Sequence, residues 1–233
     1  MSMKYLAVVA ATCMLVGATT QAHAVTFTVD QSATWLGFMN VFELPSNGGG
    51  FIFGSGWGTG DLTATWGGPT SLTLGTNNIG DADPFWYVGG GGPGAQGNKI
   101  MDANMYVQLV DGSVSGQTLT FAGNVTSNTL FGQTDSLGNA WTSVAFIKEF
   151  AADYSSFTQT TVSMTAGTFS ISQAISGNAL NHVQYGFETK GSCVWITDAA
   201  QFGNIQVQAV PEPTSMIALG AGLLFLRRRR STR

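Results

Sequence analysis

Gln117-Thr118-Leu119-Thr120-Phe121 alternates polar and apolar side chains without a break, and Gly167-Thr168-Phe169-Ser170-Ile171 repeats the pattern. A period of two puts Leu119 and Phe121 on one face of a strand and the threonines on the other. Reading outward from these stretches, the chain shows short β-branched and aromatic runs broken by Gly, Asn, Asp and Pro. Strands are predicted over 25–29, 34–42, 61–66, 71–74, 85–88, 105–110, 118–125, 141–150, 160–172, 182–188, 193–196 and 204–208. No stretch between 25 and 209 carries a sustained helical period with caps, and residues 151–154 allow one helical turn at most. Many short strands with glycine-rich turns predict an all-β fold, a single antiparallel β-sandwich of jelly-roll-like form, in one domain over 25–209. Trp35, Trp141, Phe169 and Trp195 are expected mostly inside it. The loops over 45–60 and 89–98 are long and glycine-rich, the kind that is either functional or mobile.

Composition narrows the function classes. Residues 25–209 hold twelve acids against three lysines and no arginine, a net charge of −9, although the whole chain is only −4. Such a surface repels phosphate backbones, so nucleic acid is excluded as a partner. Charged residues are 9% of the chain against roughly 25% in ordinary domains, so Ser, Thr, Asn and Gln must supply the polar surface. At 44% hydrophobic, the chain is expected to fold.

The N-terminus reads as a leader. Lys4 precedes an apolar run over 5–18, followed by Ala22-His23-Ala24. A basic start, a hydrophobic core and a small-x-small site predict a secretory signal peptide over 1–24, cut after Ala24. A membrane anchor would want ~20 apolar residues, and this run is shorter. Without Cys13 the mature chain keeps Cys193 alone, so no internal disulfide can form; the sequence Cys193-Val194-Trp195-Ile196 places it in a buried strand.

Tests for chemistry return little. Gly92-Pro93-Gly94-Ala95-Gln96-Gly97 has the G-x-G-x-x-G spacing, but no helical pattern follows to hold a pyrophosphate, so it reads as a loop. His182 is the one histidine after the leader, and no Gly-x-Ser-x-Gly elbow accompanies it. One His and one Cys cannot make a His-rich metal site. Asp81-Ala82-Asp83-Pro84 is a weak calcium candidate whose blander reading is a polar turn; otherwise no cofactor is expected. A dozen carboxylates leave a glycosidase pair open, but spacing alone cannot pick one. Trp57, Trp86 and Tyr87, close to glycine-rich loops, are the candidates for stacking on a sugar ring, against the usual burial of tryptophan.

The C-terminus is more specific. Val210-Pro211-Glu212-Pro213 ends any strand, because neither proline can donate to a ladder. Residues 215–226 carry no charge, and Arg227, Arg228, Arg229 and Arg230 follow. As a helix this segment is only about 18 Å long, with a basic flank that stays cytoplasmic. Both ends thus predict one topology, with the body outside and the positive ends inside. The order Pro-Glu-Pro, short apolar segment, arginine cluster, over 210–233, resembles the PEP-CTERM sorting signal of Gram-negative bacteria. That resemblance implies an exosortase, a membrane cysteine protease, as the partner that removes the tail. It also implies signal peptidase and the secretion machinery, transient anchoring in the inner membrane, and delivery to the cell surface or exopolysaccharide matrix. Glu212 would belong to the recognition motif, with no catalytic part.

More faintly, Tyr185-Gly186-Phe187-Glu188-Thr189-Lys190-Gly191 and Phe202-Gly203-Asn204-Ile205-Gln206-Val207 resemble the closing strands of carbohydrate-binding-module jelly rolls (galactose-binding-like). The resemblance implies a last strand returning to the first sheet, and it transfers no sugar-contact residue. The expectation is a non-enzymatic, exported envelope or matrix protein. A carbohydrate-binding module with specific glycan affinity is the alternative, and a glycan hydrolase on the same fold stands third.

Overall fold

The computed structural model describes residues 24–110 and 112–210. Ala22, Pro211, Glu212, Pro213, Arg227, Arg228, Arg229 and Arg230 lie outside them, as do the rest of the leader up to residue 23 and the apolar C-terminal segment. Ala24 opens the first strand. Among the described residues the strands are β1 (Ala24–Phe27), β2 (Trp35–Glu43), β3 (Phe51–Trp57), β4 (Ala64–Gly68), β5 (Ser71–Gly75), β6 (Asn78–Ile79) and β7 (Lys99–Leu109). They continue as β8 (Thr118–Asn128), β9 (Thr142–Phe150), β10 (Phe157–Ser163), β11 (Gly167–Ala174), β12 (His182–Ser192), β13 (Val194–Trp195) and β14 (Asn204–Gln208). The remaining regular structure among the described residues is two short 3-10 turns, Pro45–Asn47 and Ala199–Phe202. No helix among the described residues is long and apolar enough to cross a membrane.

The alternation that predicts strands also sorts them into two layers. In β11 every second residue is buried, and β8 buries Leu119 and Phe121 completely. β11 covers one side of β8 from Thr118 to Val125. β1 and β14 therefore share the other side end to end, β1 against 118–121 and β14 against 124–128, and β5 and β4 continue the sheet. The second sheet runs β10-β9-β12-β7-β2-β3, antiparallel throughout. The inner faces meet through aromatic rings. Phe121 of the first sheet lies 5.1 Å from Tyr185 and 5.3 Å from Phe187 of the second, and Phe187 stacks on Trp35. The fold is a β-sandwich. The last strand returns to the sheet that holds the first, as expected.

Several sequence expectations are corrected. The 160–172 strand is two strands: the chain leaves the second sheet after Ser163, buries Met164 and re-enters the first sheet at Gly167. Residues 85–88 are turn and isolated bridge, because Asp83 draws the chain into a hydrogen-bonded turn with Trp86. Residues 51–57 form β3, where a loop was expected: the strand pairs with β2, and at Gly54 a side chain would collide with Asn40 and Phe38. Two pairings are parallel, β1 with β8 and β13 with β6. Residues 151–154 make a single turn, with Tyr154 held at φ 57°. Trp141 and Phe169 are buried, while Trp35 and Trp195 are half-buried against the core.

Candidate functional site

β7 is buried on both faces from Lys99 to Met105. Its inner face, Met101, Ala103 and Met105, is core. The opposite face carries Asp102, Asn104, Tyr106 and Gln108, and burial of polar side chains on an outward sheet face needs a local cause. The cause is a groove of about 720 Å³ across β10, β9, β12, β7 and β2.

Cross-strand register builds it. Asn40 faces Asp102 and Phe38 faces Asn104; Glu188 faces Asn104 and Gln184 faces Gln108. Lys148, on β9, lies opposite both Gln184 and Gln159. Side chains of alternate residues thus gather on one surface. Aromatic rings bound it: Phe150 and Phe157 pack 5.1 Å apart on the β10 side, and Tyr154 stacks on His182 at 4.4 Å. On the β3 edge the wall stays low. A Cβ on Gly54 would sit 2.8 Å from both Asn40 Oδ1 and the Phe38 ring.

The floor is a charged network. Lys148 Nζ donates to Asn104 Oδ1 at 2.7 Å and to Glu188 Oε2 at 3.1 Å. Asn104 Nδ2 donates to Asp102 Oδ1 at 3.0 Å, and Gln184 Nε2 to Gln108 Oε1 at 2.7 Å. Lys148 also lies over the Phe146 ring and Lys190 over the Phe42 ring. Asp102 is 9% exposed. Burial, reinforced by the nearby Glu188 charge, pushes its carboxyl from 3.8 up to about 6, against the pull of Lys148 and Lys190. A buried, perturbed group with a specific charge partner in a concave site is a functional-site candidate. The surface offers both donors and acceptors to a polar ligand and aromatic edges to its apolar faces.

The residues singled out by sequence fall elsewhere. Tyr87 is fully buried; its one hydroxyl proton is shared between Ile79 O at 2.5 Å and Val194 O at 2.8 Å, so it is unavailable to a glycan. Trp57 belongs to β3, where it shares the inward side with Phe53, and its ring meets Trp86 edge-on at 6.5 Å. Both tryptophans are half-buried against the core and lie off the groove. Asp81 and Asp83 are exposed and cap turns: Asp81 Oδ1 accepts from the Asp83 N–H at 3.0 Å, and Asp83 Oδ1 from the Phe85 N–H at 2.7 Å. Among the described residues no three His, Cys, Asp or Glu side chains gather to hold a metal. Cys193 is buried beside the Tyr87 hydroxyl, and burial pushes its thiol up to about 11, so it is unreactive packing.

At the other extreme of the chain, β14 ends in two anchors. Ala209 N donates to Thr70 O at 2.9 Å and Val210 N to Thr28 Oγ1 at 3.3 Å. From this point, residues 209–231 match the PEP-CTERM protein-sorting motif. The chain carries a PEP-CTERM sorting tail. It is therefore an exported protein addressed to the cell surface, with an exosortase as its processing partner. No curated protein and no solved structure matches the chain.

Groove residues were missed because alternate polar residues on a strand are the ordinary signature of a solvated face. The one available signal was the density of Asn, Gln, Asp and Tyr at 102, 104, 106 and 108 beside Gln184, Glu188 and Lys190.

Proposed function

We propose that the mature protein is a non-enzymatic component of the cell surface or exopolysaccharide matrix that binds an extended glycan in the groove across the second sheet. The leader is removed after Ala24, and the tail holds the body at the inner membrane until the exosortase cuts it. The observation that carries the binding reading is the polar network on an outward face, in which buried Asp102, Asn104 and Gln184 join the partly buried Lys148 and Glu188. Sites for small ligands combine an apolar lining with a few convergent polar groups, and at about 720 Å³ the groove falls within the usual ~300–1,000 Å³. With Lys148 and Lys190 offsetting Asp102 and Glu188, the floor suits uncharged hydroxyls. The test is affinity electrophoresis of the secreted protein in gels containing the producer's own polysaccharide. Retention should fall with Tyr106→Ala or Gln184→Ala at unchanged melting temperature, and retention equal to wild type in both would sink the groove.

One observation favours a second reading, glycan cleavage. Asp102 holds its proton to about pH 6 near Glu188, which Lys148 pairs. A proton-holding carboxyl with a second carboxyl group nearby is the arrangement glycosidases use. Release of reducing ends from that polysaccharide, lost in Asp102→Asn, would establish it.

A further inference from the structure

The Gly92–Gly97 loop, which has the spacing of a phosphate-binding motif without its helix, walls a second cavity of about 210 Å³. Gln96, Asp135, Trp141, Ser192, Asp198 and Phe202 line it. Its two carboxylates are fixed by the surrounding loops. Asp198 Oδ2 accepts from the Gly94 N–H at 2.6 Å and its Oδ1 from the Thr197 hydroxyl at 3.2 Å. Asp135 Oδ1 accepts from the Leu137 and Asn139 N–H groups at 2.9 and 2.8 Å, and its Oδ2 from Gln96 Nε2 at 3.2 Å. Burial would raise the Asp135 pKa, but hydrogen bonds from Asn139 and Gln96, with the Ser192 hydroxyl close by, hold it below the usual range. The carboxylate is therefore ionised in the cavity wall.

Two lining residues do not fit this satisfied pattern. Trp141 is 3% exposed and Ser192 1%, and neither Trp141 Nε1 nor Ser192 Oγ has a hydrogen-bond partner. The Ser192 hydroxyl is near enough to Asp135 to favour its charge, yet lies outside hydrogen-bond geometry. Trp141 is deliberately seated: its indole covers Gly191, where a Cβ would run into the ring, and Phe202 packs on it at 4.6 Å. A buried donor left unpaired forfeits its hydration without replacement, and native interiors hold few of them.

We propose that this cavity is a binding site for one uncharged sugar residue, separate from the groove. The orphan indole N–H requires an acceptor, which excludes a bare cation. The ionised Asp135 carboxylate repels anions, and the carboxyl oxygens of Asp135 and Asp198 accept further donors. A hydroxyl is donor and acceptor at once, and a ring bearing several can meet both demands. Size agrees: the volume equals about seven waters at ~30 Å³ each, and it is smaller than sites for drug-sized ligands. The groove would hold a run of residues; this pocket takes one.

The site is tested on the secreted protein by proton–nitrogen NMR during titration with D-glucose, D-galactose and D-mannose into the millimolar range. The Trp141 indole resonance, assigned by its loss in Trp141→Phe, should shift saturably with at least one of them. Calorimetric affinity for that hexose should fall at least tenfold in Trp141→Phe, Ser192→Ala and Asp198→Asn. It should be unchanged in Tyr106→Ala, which disables only the groove. A Trp141 resonance indifferent to all three hexoses overturns the proposal and leaves a water-filled cavity. So does an affinity that survives Ser192→Ala and Asp198→Asn, or one that disappears with Tyr106→Ala, which would place the hexose in the groove. Should Trp141→Phe fail to fold, Ser192→Ala carries the test.

Discussion

Asp102 and Glu188 stand diagonally across β7 and β12 on one sheet face, and Lys148 forms an ion pair with only the second of them, at 3.1 Å. The pair is therefore unequal: Glu188 has a counter-charge, whereas Asp102 has neutral Asn40 and Asn104 as its hydrogen-bond donors.

That inequality gives stability a pH dependence. The Asp102 carboxyl has its folded pKa raised from 3.8 to about 6, so the folded state binds its proton more tightly than the unfolded chain does. Its contribution is fully present below pH 3.8 and is lost as pH rises to about 6. Asp102→Asn should remove this loss and stabilise the protein at pH 7 by about 1–3 kcal/mol. Urea unfolding of both proteins across pH 4 to 7 reads it; parallel profiles would refute the assignment.

Glu149 behaves oppositely. Burial alone would raise its pKa, but the Ser176 hydroxyl and N–H and the Asn181 amide hold it below the usual range. A lowered pKa contributes stability above the unfolded value and loses it as pH falls through the folded one. Glu149→Gln should therefore destabilise at pH 7 by roughly 1–2 kcal/mol, and the difference should shrink below pH 4. Thermal unfolding at pH 7 and pH 3 checks both halves.

Removing Lys148 strands two carboxylates on the groove floor. Lys148→Met should cost about 1–3 kcal/mol, less than a fully buried pair because Glu188 is a quarter exposed. Adding Glu188→Gln should recover part of the loss, which a double-mutant cycle in urea measures.

Gly186 has no room for a side chain: a Cβ would meet the Met105 carbonyl oxygen and the Tyr106 backbone. Since β12 and β7 are central strands, neither can step aside. Gly186→Ala should destabilise by about 1–3 kcal/mol or more, whereas Gly60→Ala, with open space around it, should be near neutral. Equal melting temperatures for the two variants would contradict the packing.

β14 fills the middle of the first sheet between β8 and β5, and the sorting motif begins at its end. A chain stopped after Val210 should retain stability within about 1 kcal/mol, whereas one stopped after Gly203 should not fold. Circular dichroism and urea titration of the two chains distinguish them.

The sequence by itself determined the fold class and the address. Period two in Leu119–Phe121 and Phe169–Ile171 is a local property that survives any arrangement of strands, and the tail is a contiguous motif over 209–231. Which polar residues act together was decided only by tertiary structure. Asn40, Asp102, Lys148 and Glu188 come from four strands and become neighbours only through register, which no local pattern encodes. The same holds for the aromatics. Tyr87 sits near glycines and reads as exposed, yet the chain folds over it, because its hydroxyl bridges Ile79 and Val194 from distant segments. A strand's alternation says that two faces differ; only packing says which outward face is concave and can hold a ligand.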